Sequence, residues 1–136
     1  MTMLKILLVE DNPDDEFLTR RILAKLNQTD IHAVHEGGAA LKYLFGEEGC
    51  CVNSRVSIKP DLILLDLRMP LVDGMDFLEA AHKNLKSYDI PVIVISSSRL
   101  EHDVDRCKQL GVKAYLTKPI DIAELSDAIA HHCTNA

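Results

Sequence analysis

Between Asp61 and Gly74 the chain reads Asp-Leu-Ile-Leu-Leu-Asp-Leu-Arg-Met-Pro-Leu-Val-Asp-Gly. A run of branched aliphatics ends in a carboxylate, Asp66, and a loop containing Pro70 and Gly74 follows at once. A segment apolar at every position has no solvated face, so it reads as a strand buried on both sides, as in the centre of a parallel sheet. In open sheets of that kind, ligands bind just beyond the carboxyl ends of the strands. Asp66 therefore stands where chemistry would be, although an Asp at a strand end is also an ordinary turn opener.

The rest of the chain repeats the arrangement. Leu4 to Val9 is a second buried-strand segment, and it too ends in acids, Glu10 and Asp11. Asn12 is a good helix cap, with Pro13 at the first helical position and Asp14, Asp15 and Glu16 in the first turn complementing the dipole. The periodicity predicts a helix to about Asn27, with Leu18, Ile22 and Leu26 on one face. Ile31 to His35 alternates like an outer strand, Gly37-Gly38 breaks it, and Ala39 to Phe45 is a short amphipathic helix. Gly46 to Pro60 has no clear period and reads as a long loop. After the Asp61–Asp66 strand come a helix over about Met75–Asn84, the strand Val92–Ile95 ending in three serines, and a helix over Leu100–Leu110 with Leu100, Val104 and Cys107 inward. Gly111 ends that helix. A fifth strand, Lys113–Leu116, is closed by Thr117-Lys118-Pro119, and a last helix from Asp121 carries Ile122, Leu125 and Ile129 inward. Five strand–helix units imply an α/β fold, a doubly wound parallel sheet with right-handed crossovers and helices on both faces.

Composition narrows the function. A chain of 136 residues, 47% hydrophobic and 26% charged, suits one domain with its own core. Its net charge of −6 argues against a nucleic-acid groove or an anionic membrane surface. The short N-terminal apolar run is no signal peptide or spanning helix, so a cytoplasmic protein is expected. Cys50, Cys51, Cys107 and Cys133 lack Cys-x-x-Cys spacing and read as reduced thiols. His131-His132-Cys133 reads as a frayed helix end, since neighbours on a helix point apart.

If the strands are parallel, their carboxyl ends share one rim. Glu10, Asp11, Asp66, Ser96 and Lys118 all stand at such ends. Each alone is ordinary: acids opening a helix, a serine in a turn, a solvated lysine. Together they bring three carboxylates, a hydroxyl and an ammonium to one edge. Crowded carboxylates repel and need neutralising, and an all-oxygen cluster suits a hard cation, Mg²⁺ or Mn²⁺. Asp is a nucleophile toward phosphorus. Phosphoryl transfer asks mainly for positioning and charge neutralisation, which a cation and Lys118 would supply, with Ser96 as a hydrogen-bond donor.

Glu10-Asp11, Asp66, Ser96 and Lys118-Pro119, placed after strands one, three, four and five, resemble the receiver domain of bacterial two-component response regulators over nearly the whole chain. The resemblance implies a flavodoxin-like (βα)5 fold with strand order 2-1-3-4-5 and a single receiver domain over 1–136 without an output domain. It implies that Asp66 is the phosphoacceptor, that Asp11, Asp66 and the Arg68 backbone carbonyl bind the metal directly, and that Glu10 acts through a water. Lys118 would contact the phosphoryl group, with Lys118-Pro119 a cis peptide. Ser96 stands where threonine is more usual, and Ser96 and Tyr115 match the switch residues. Arg68 and Ser98 occupy the flanking positions that tune phosphoryl lifetime. Asn12-Pro13-Asp14-Asp15, the Gly46–Pro60 loop and the Lys83–Pro91 connection resemble regulators that partner phytochrome-type histidine kinases.

The expected activity is phosphorelay signalling, with Mg²⁺-dependent phosphoryl acceptance from a sensor histidine kinase or histidine phosphotransfer protein. The chain would be a phosphoacceptor switch rather than an enzyme, passing its signal to a downstream protein or through a homodimer of the last two helices and fifth strand. Two alternatives stay open. A Mg²⁺-dependent aspartyl-phosphate phosphatase of the haloacid-dehalogenase type has a second Asp two residues after the nucleophile, where this chain has Arg68. A phosphate-independent scaffold would have no use for the acid set and Lys118.

Overall fold

In the computed structural model, which describes residues 3–46, 59–67, 73–97 and 100–133, five strands and five helices alternate along the chain. They are β1 (Ile6–Val9), α1 (Pro13–Lys25), β2 (Ile31–Val34), α2 (Gly37–Phe45), β3 (Leu62–Leu65), α3 (Gly74–Ser87), β4 (Val92–Ser96), α4 (Glu101–Gln109), β5 (Ala114–Thr117) and α5 (Ile122–His132). The strands form one parallel sheet in the order β2-β1-β3-β4-β5. The doubly wound architecture and strand order expected from the sequence are those observed.

The apolar runs sit where two-sided burial demands them. β1, β3 and β4 are buried at every position. Alternate residues feed opposite cores. Leu7, Val9, Ile63, Leu65, Val92 and Val94 pack with Leu44, Phe77, Leu78, Ala81 and Cys107 on one face. Ile6, Leu8, Leu62, Leu64, Ile93 and Ile95 pack with Leu23, Leu125 and Ile129 on the other. The edge strand β2 buries only Val34 fully, in keeping with its weaker alternation.

Three helix faces differ from the expected ones. α1 buries Thr19 and Leu23, while Leu18 is exposed and Ile22 and Leu26 are half-buried. The helix is turned by about one residue, and the apolar stripe straddles the edge of the contact. α1 also stops at Lys25, where Asn27 takes a left-handed φ of 61°. On α4 the inward set is Asp103 and Cys107, followed by Leu110; Leu100 is the exposed residue that precedes the first turn. Ile122 is likewise exposed at the first turn of α5, which packs through Leu125, Ala128 and Ile129. The Gly37-Gly38 pair does not stand outside α2 but forms its first turn, because the Glu36 carboxylate accepts from the Gly38 N–H. Of the four cysteines, Cys107 and Cys133 are free and buried, and burial pushes both thiols up to about 11. Cys50 and Cys51, and most of the Gly46–Pro60 segment, lie outside the described residues.

Candidate functional site

Register delivers the polar residues to one rim. Val9 pairs with Leu65, so Glu10 and Asp66 leave β1 and β3 side by side. The Asp66 N–H donates to the Val9 carbonyl at 3.0 Å, and the Glu10 N–H to the Val34 carbonyl at 3.0 Å. On the other side Ser96 pairs with Thr117, and the Lys118 N–H donates to the Ser96 carbonyl at 2.9 Å. The Lys118-Pro119 peptide is cis. Backbone hydrogen bonds thus fix three of the four loops before any side chain is considered.

The side chains then meet. Glu10, Asp11 and Asp66 each offer a carboxylate oxygen within 4.8 Å of the others. Lys118 Nζ donates to Glu10 Oε1 at 2.9 Å, to Asp66 Oδ2 at 3.1 Å and to Asp15 Oδ2 at 2.8 Å. Glu10 and Asp66 are buried, Lys118 nearly so, and Asp15 is about one-third exposed at 34%. Burial is the largest influence on Glu10 and pushes its carboxyl up to about 7; Asp66 adds to the rise and Lys118 opposes it. Burial also works against the Lys118 ammonium, but hydrogen bonds to Asp15 and Glu10 and the charge of Asp66 outweigh it, holding the pKa above the usual lysine value.

Among the described residues one ammonium therefore faces four acids, Glu10, Asp11, Asp15 and Asp66. Oxygen donors this close together, with a carboxylate driven up toward neutral pH, fit a small hard dication. Glu10, Asp11 and Asp66 would hold it.

The sequence shows Asp15 as a first-turn acid and as part of Asn12-Pro13-Asp14-Asp15, with no sign of its contact with Lys118. It lies in the first turn of α1, and its partner Lys118 is 103 residues away, beyond the reach of any local sequence pattern. Ser96 is fully buried at the end of β4, Ser97 is exposed, and Tyr115 is half-buried on β5 against the α2–α4 core. Arg68 and Ser98 lie outside the described residues. A groove of about 400 Å³ leads away from Lys118 between α1 and the loop after β5, lined by Leu18, Thr19, Ile22, Pro119 and Ile120.

The pattern of the response regulator receiver domain matches residues 6–130. The chain belongs to that family. The response regulator Rcp1 of Synechocystis is 37% identical over 122 residues, spanning 88% of this receiver and 80% of that protein. The crystal structure of the Mn²⁺-bound form of a response regulator Rcp1 superposes with a TM-score of 0.74 at 30% identity, covering 96% of this chain and 95% of that one. The phosphorylated cyanobacterial phytochrome response regulator RcpA gives 0.76 at 32% identity, covering 99% and 97%. The receiver domain of the sensor histidine kinase PA1611 from Pseudomonas aeruginosa, with Mg²⁺ coordinated in its active-site cleft, gives 0.76 at 26%, covering 97% and 98%. Of these homologous receivers, Rcp1 is thus seen with Mn²⁺ and that of PA1611 with Mg²⁺ in its active-site cleft. The chain spans only 52% and 59% of two Arabidopsis thaliana two-component response regulators, ARR3 and ARR7, to which it is 28% and 27% identical. Among the described residues no helix is long and apolar enough to cross a membrane.

Proposed function

We propose that this receiver accepts a phosphoryl group on Asp66 from a phosphohistidine and uses it to change the partner preference of the face built from α4, β5 and α5. The observation that carries the reading is the Lys118 Nζ to Asp66 Oδ2 contact of 3.1 Å, set beside the Glu10–Asp11–Asp66 trio. The Asp66 oxygen attacks phosphorus, the O–P bond forms as the N–P bond breaks, and the histidine nitrogen leaves with the electron pair. A bound dication supplies charge neutralisation for the transferring group. Lys118 binds a phosphoryl oxygen, and its buried position keeps that interaction poorly screened. By resemblance to the family, the Arg68 backbone carbonyl would be a further ligand of the cation, and Arg68 and Ser98 would set the lifetime of the acyl phosphate.

The switch follows from contacts made in only one state. The phosphoryl oxygens draw the Ser96 hydroxyl inward, Tyr115 turns toward the space this leaves, and the α4–β5–α5 face acquires a new affinity. A downstream protein or a second copy of the chain reads that face. The apolar groove beside Lys118 receives the phosphodonor, a histidine kinase or phosphotransfer protein. The likeness to RcpA, a phytochrome response regulator, and to the bacteriophytochrome response regulators RtBRR and AtBRR favours a kinase of the phytochrome type. The protein is a stoichiometric switch that catalyses only its own phosphorylation and dephosphorylation.

Intact mass after incubation with acetyl phosphate tests this. We expect one phosphoryl adduct that requires Mg²⁺ and is lost in Asp66→Asn. Absence of an adduct on the wild type overturns the phosphoacceptor reading, and multiple turnover on a small phosphoester would make the chain a phosphatase instead.

A further inference from the structure

Lys118 has three ammonium protons, and three carboxylates take them. Two of the three, Glu10 and Asp66, belong to the trio that would hold a dication. The third, Asp15, stands outside that trio, yet it makes the shortest of the three bonds, at 2.8 Å. A dication entering the trio competes with the ammonium for Glu10 and Asp66 and also repels it. Asp15 is the one partner for which the two cations do not compete.

Its position suits that task. Asp15 lies in the first turn of α1, where its own N–H donates to the Asn12 side chain at 3.1 Å, so its backbone is fixed by the cap. Its carboxylate is more exposed than those of Glu10 and Asp66, at 34% against 4% and 7%, so it reaches the ammonium from the solvent side of the site. Charge-assisted bonds of this length are the strong ones, and one anchored carboxylate is enough to hold a flexible lysine at a defined place.

We propose that Asp15 is a positioning residue for Lys118: it tethers the ammonium at the rim of the site when a divalent cation takes over Glu10 and Asp66. The site then contains a dication and an ammonium together, as the phosphoryl chemistry requires. Without the tether, the ammonium presses harder on Glu10 and Asp66 and the dication binds less tightly. The inference rests on the reading above in one respect, that the trio holds the cation.

The test is Mn²⁺ affinity, read as free ion by electron paramagnetic resonance, for wild type, Asp15→Asn and Asp14→Asn. Asp14 is the matched control: it is an exposed acid in the same helical turn, and it is not among the three partners of the ammonium. Loss of a nearby surface charge alone weakens the dication by about two- to threefold. We expect that effect for Asp14→Asn and about a tenfold weakening for Asp15→Asn. In a Lys118→Ala background the two substitutions should become equal. Equal effects in the wild-type background overturn the tether. An excess for Asp15 that persists without Lys118 also overturns it, and would make Asp15 a direct ligand. Failure of the wild type to bind Mn²⁺ overturns the cation reading beneath. If Lys118→Ala does not fold, Lys118→Met, which keeps the apolar stem and removes the ammonium, supplies the same background.

Discussion

Gly74 stands against the backbone of Asp66 so closely that a Cβ there would collide with the Asp66 carbonyl oxygen and come within 2.7 Å of the Leu67 Cα. Gly74 is also the first residue of α3, and its N–H donates to the Leu67 carbonyl at 3.0 Å. The start of α3 is thereby seated on the peptide of Asp66 itself. Both contacting atoms are backbone, so neither can swing away. We expect Gly74→Ala to cost about 1–3 kcal/mol and to weaken Mn²⁺ binding by displacing Asp66. Gly111→Ala is the comparison. Its φ is 85° but the space around it is open, so it should cost about 1–2 kcal/mol of backbone strain and leave the site unchanged. Urea denaturation and Mn²⁺ titration of the two variants separate steric displacement from strain. Normal Mn²⁺ affinity in Gly74→Ala would mean that the loop absorbs the methyl group.

Glu10 makes the cation-free protein sensitive to pH. Its carboxyl is raised from 4.5 to about 7, chiefly by burial. A group raised on folding imposes no penalty while it is protonated in both states, below about pH 4.5. As the pH climbs through about 7, the unfolded chain ionises first and stability is lost. Lys118 is raised as well, so its contribution persists across this window and declines only at strongly alkaline pH. In the presence of a chelator we expect stability to fall by about 1–3 kcal/mol between pH 5 and pH 8, and the fall to shrink in Glu10→Gln. A wild-type profile flat over that range would show that Lys118 alone keeps Glu10 comfortably ionised.

The sheet was legible because β1, β3 and β4 are apolar at every position, a pattern that only two-sided burial explains. The rim followed from it: parallel strands carry their last residues to one edge, so Glu10, Asp66, Ser96 and Lys118 could be assembled without coordinates. Helix rotation was less legible. In α1 the apolar residues Leu18, Ile22 and Leu26 are one turn apart, but Thr19 and Leu23 are buried, because a threonine methyl packs as readily as an aliphatic and periodicity does not see it. Leu100 and Ile122 misled for a related reason, since both lie at or just before a first turn, where the helix has not yet reached the sheet. Asp15 was hidden because a first-turn acid already has an ordinary explanation in the helix dipole. Its bond to Lys118 joins residues 103 positions apart, a separation no local pattern reports.

Asn12 links helix capping to the site. Its side-chain oxygen accepts from the N–H groups of Asp14 at 2.9 Å and Asp15 at 3.1 Å. Asn12→Ala should lower stability by about 1 kcal/mol, the ordinary cost of losing a cap. Because the same turn carries Asp15 toward Lys118, fraying it should also weaken Mn²⁺ binding, though less than Asp15→Asn does. Paired denaturation and titration of the variant check this. Unchanged affinity alongside lost stability would show that the contacts of Asp15, rather than the cap, hold that turn in place.

Lys118→Ala asks whether the ammonium and the dication neutralise the same carboxylates. Removing Lys118 takes away the ammonium that buried Glu10 and Asp66 share at 2.9 and 3.1 Å. At pH 8 without cation we expect a loss of about 2–3 kcal/mol, somewhat below that for a wholly buried pair, because Lys118 keeps 17% of its side-chain exposure. The loss should shrink toward pH 5, where the raised Glu10 carboxyl is protonated and needs no counter-charge. Saturating Mg²⁺ binds the folded state alone and so stabilises by linkage. It should stabilise the variant more than the wild type, since no ammonium then competes for Glu10 and Asp66. Thermal melts at several Mg²⁺ concentrations give the comparison directly. Equal stabilisation of both proteins would mean that the two cations occupy the rim without sharing these carboxylates.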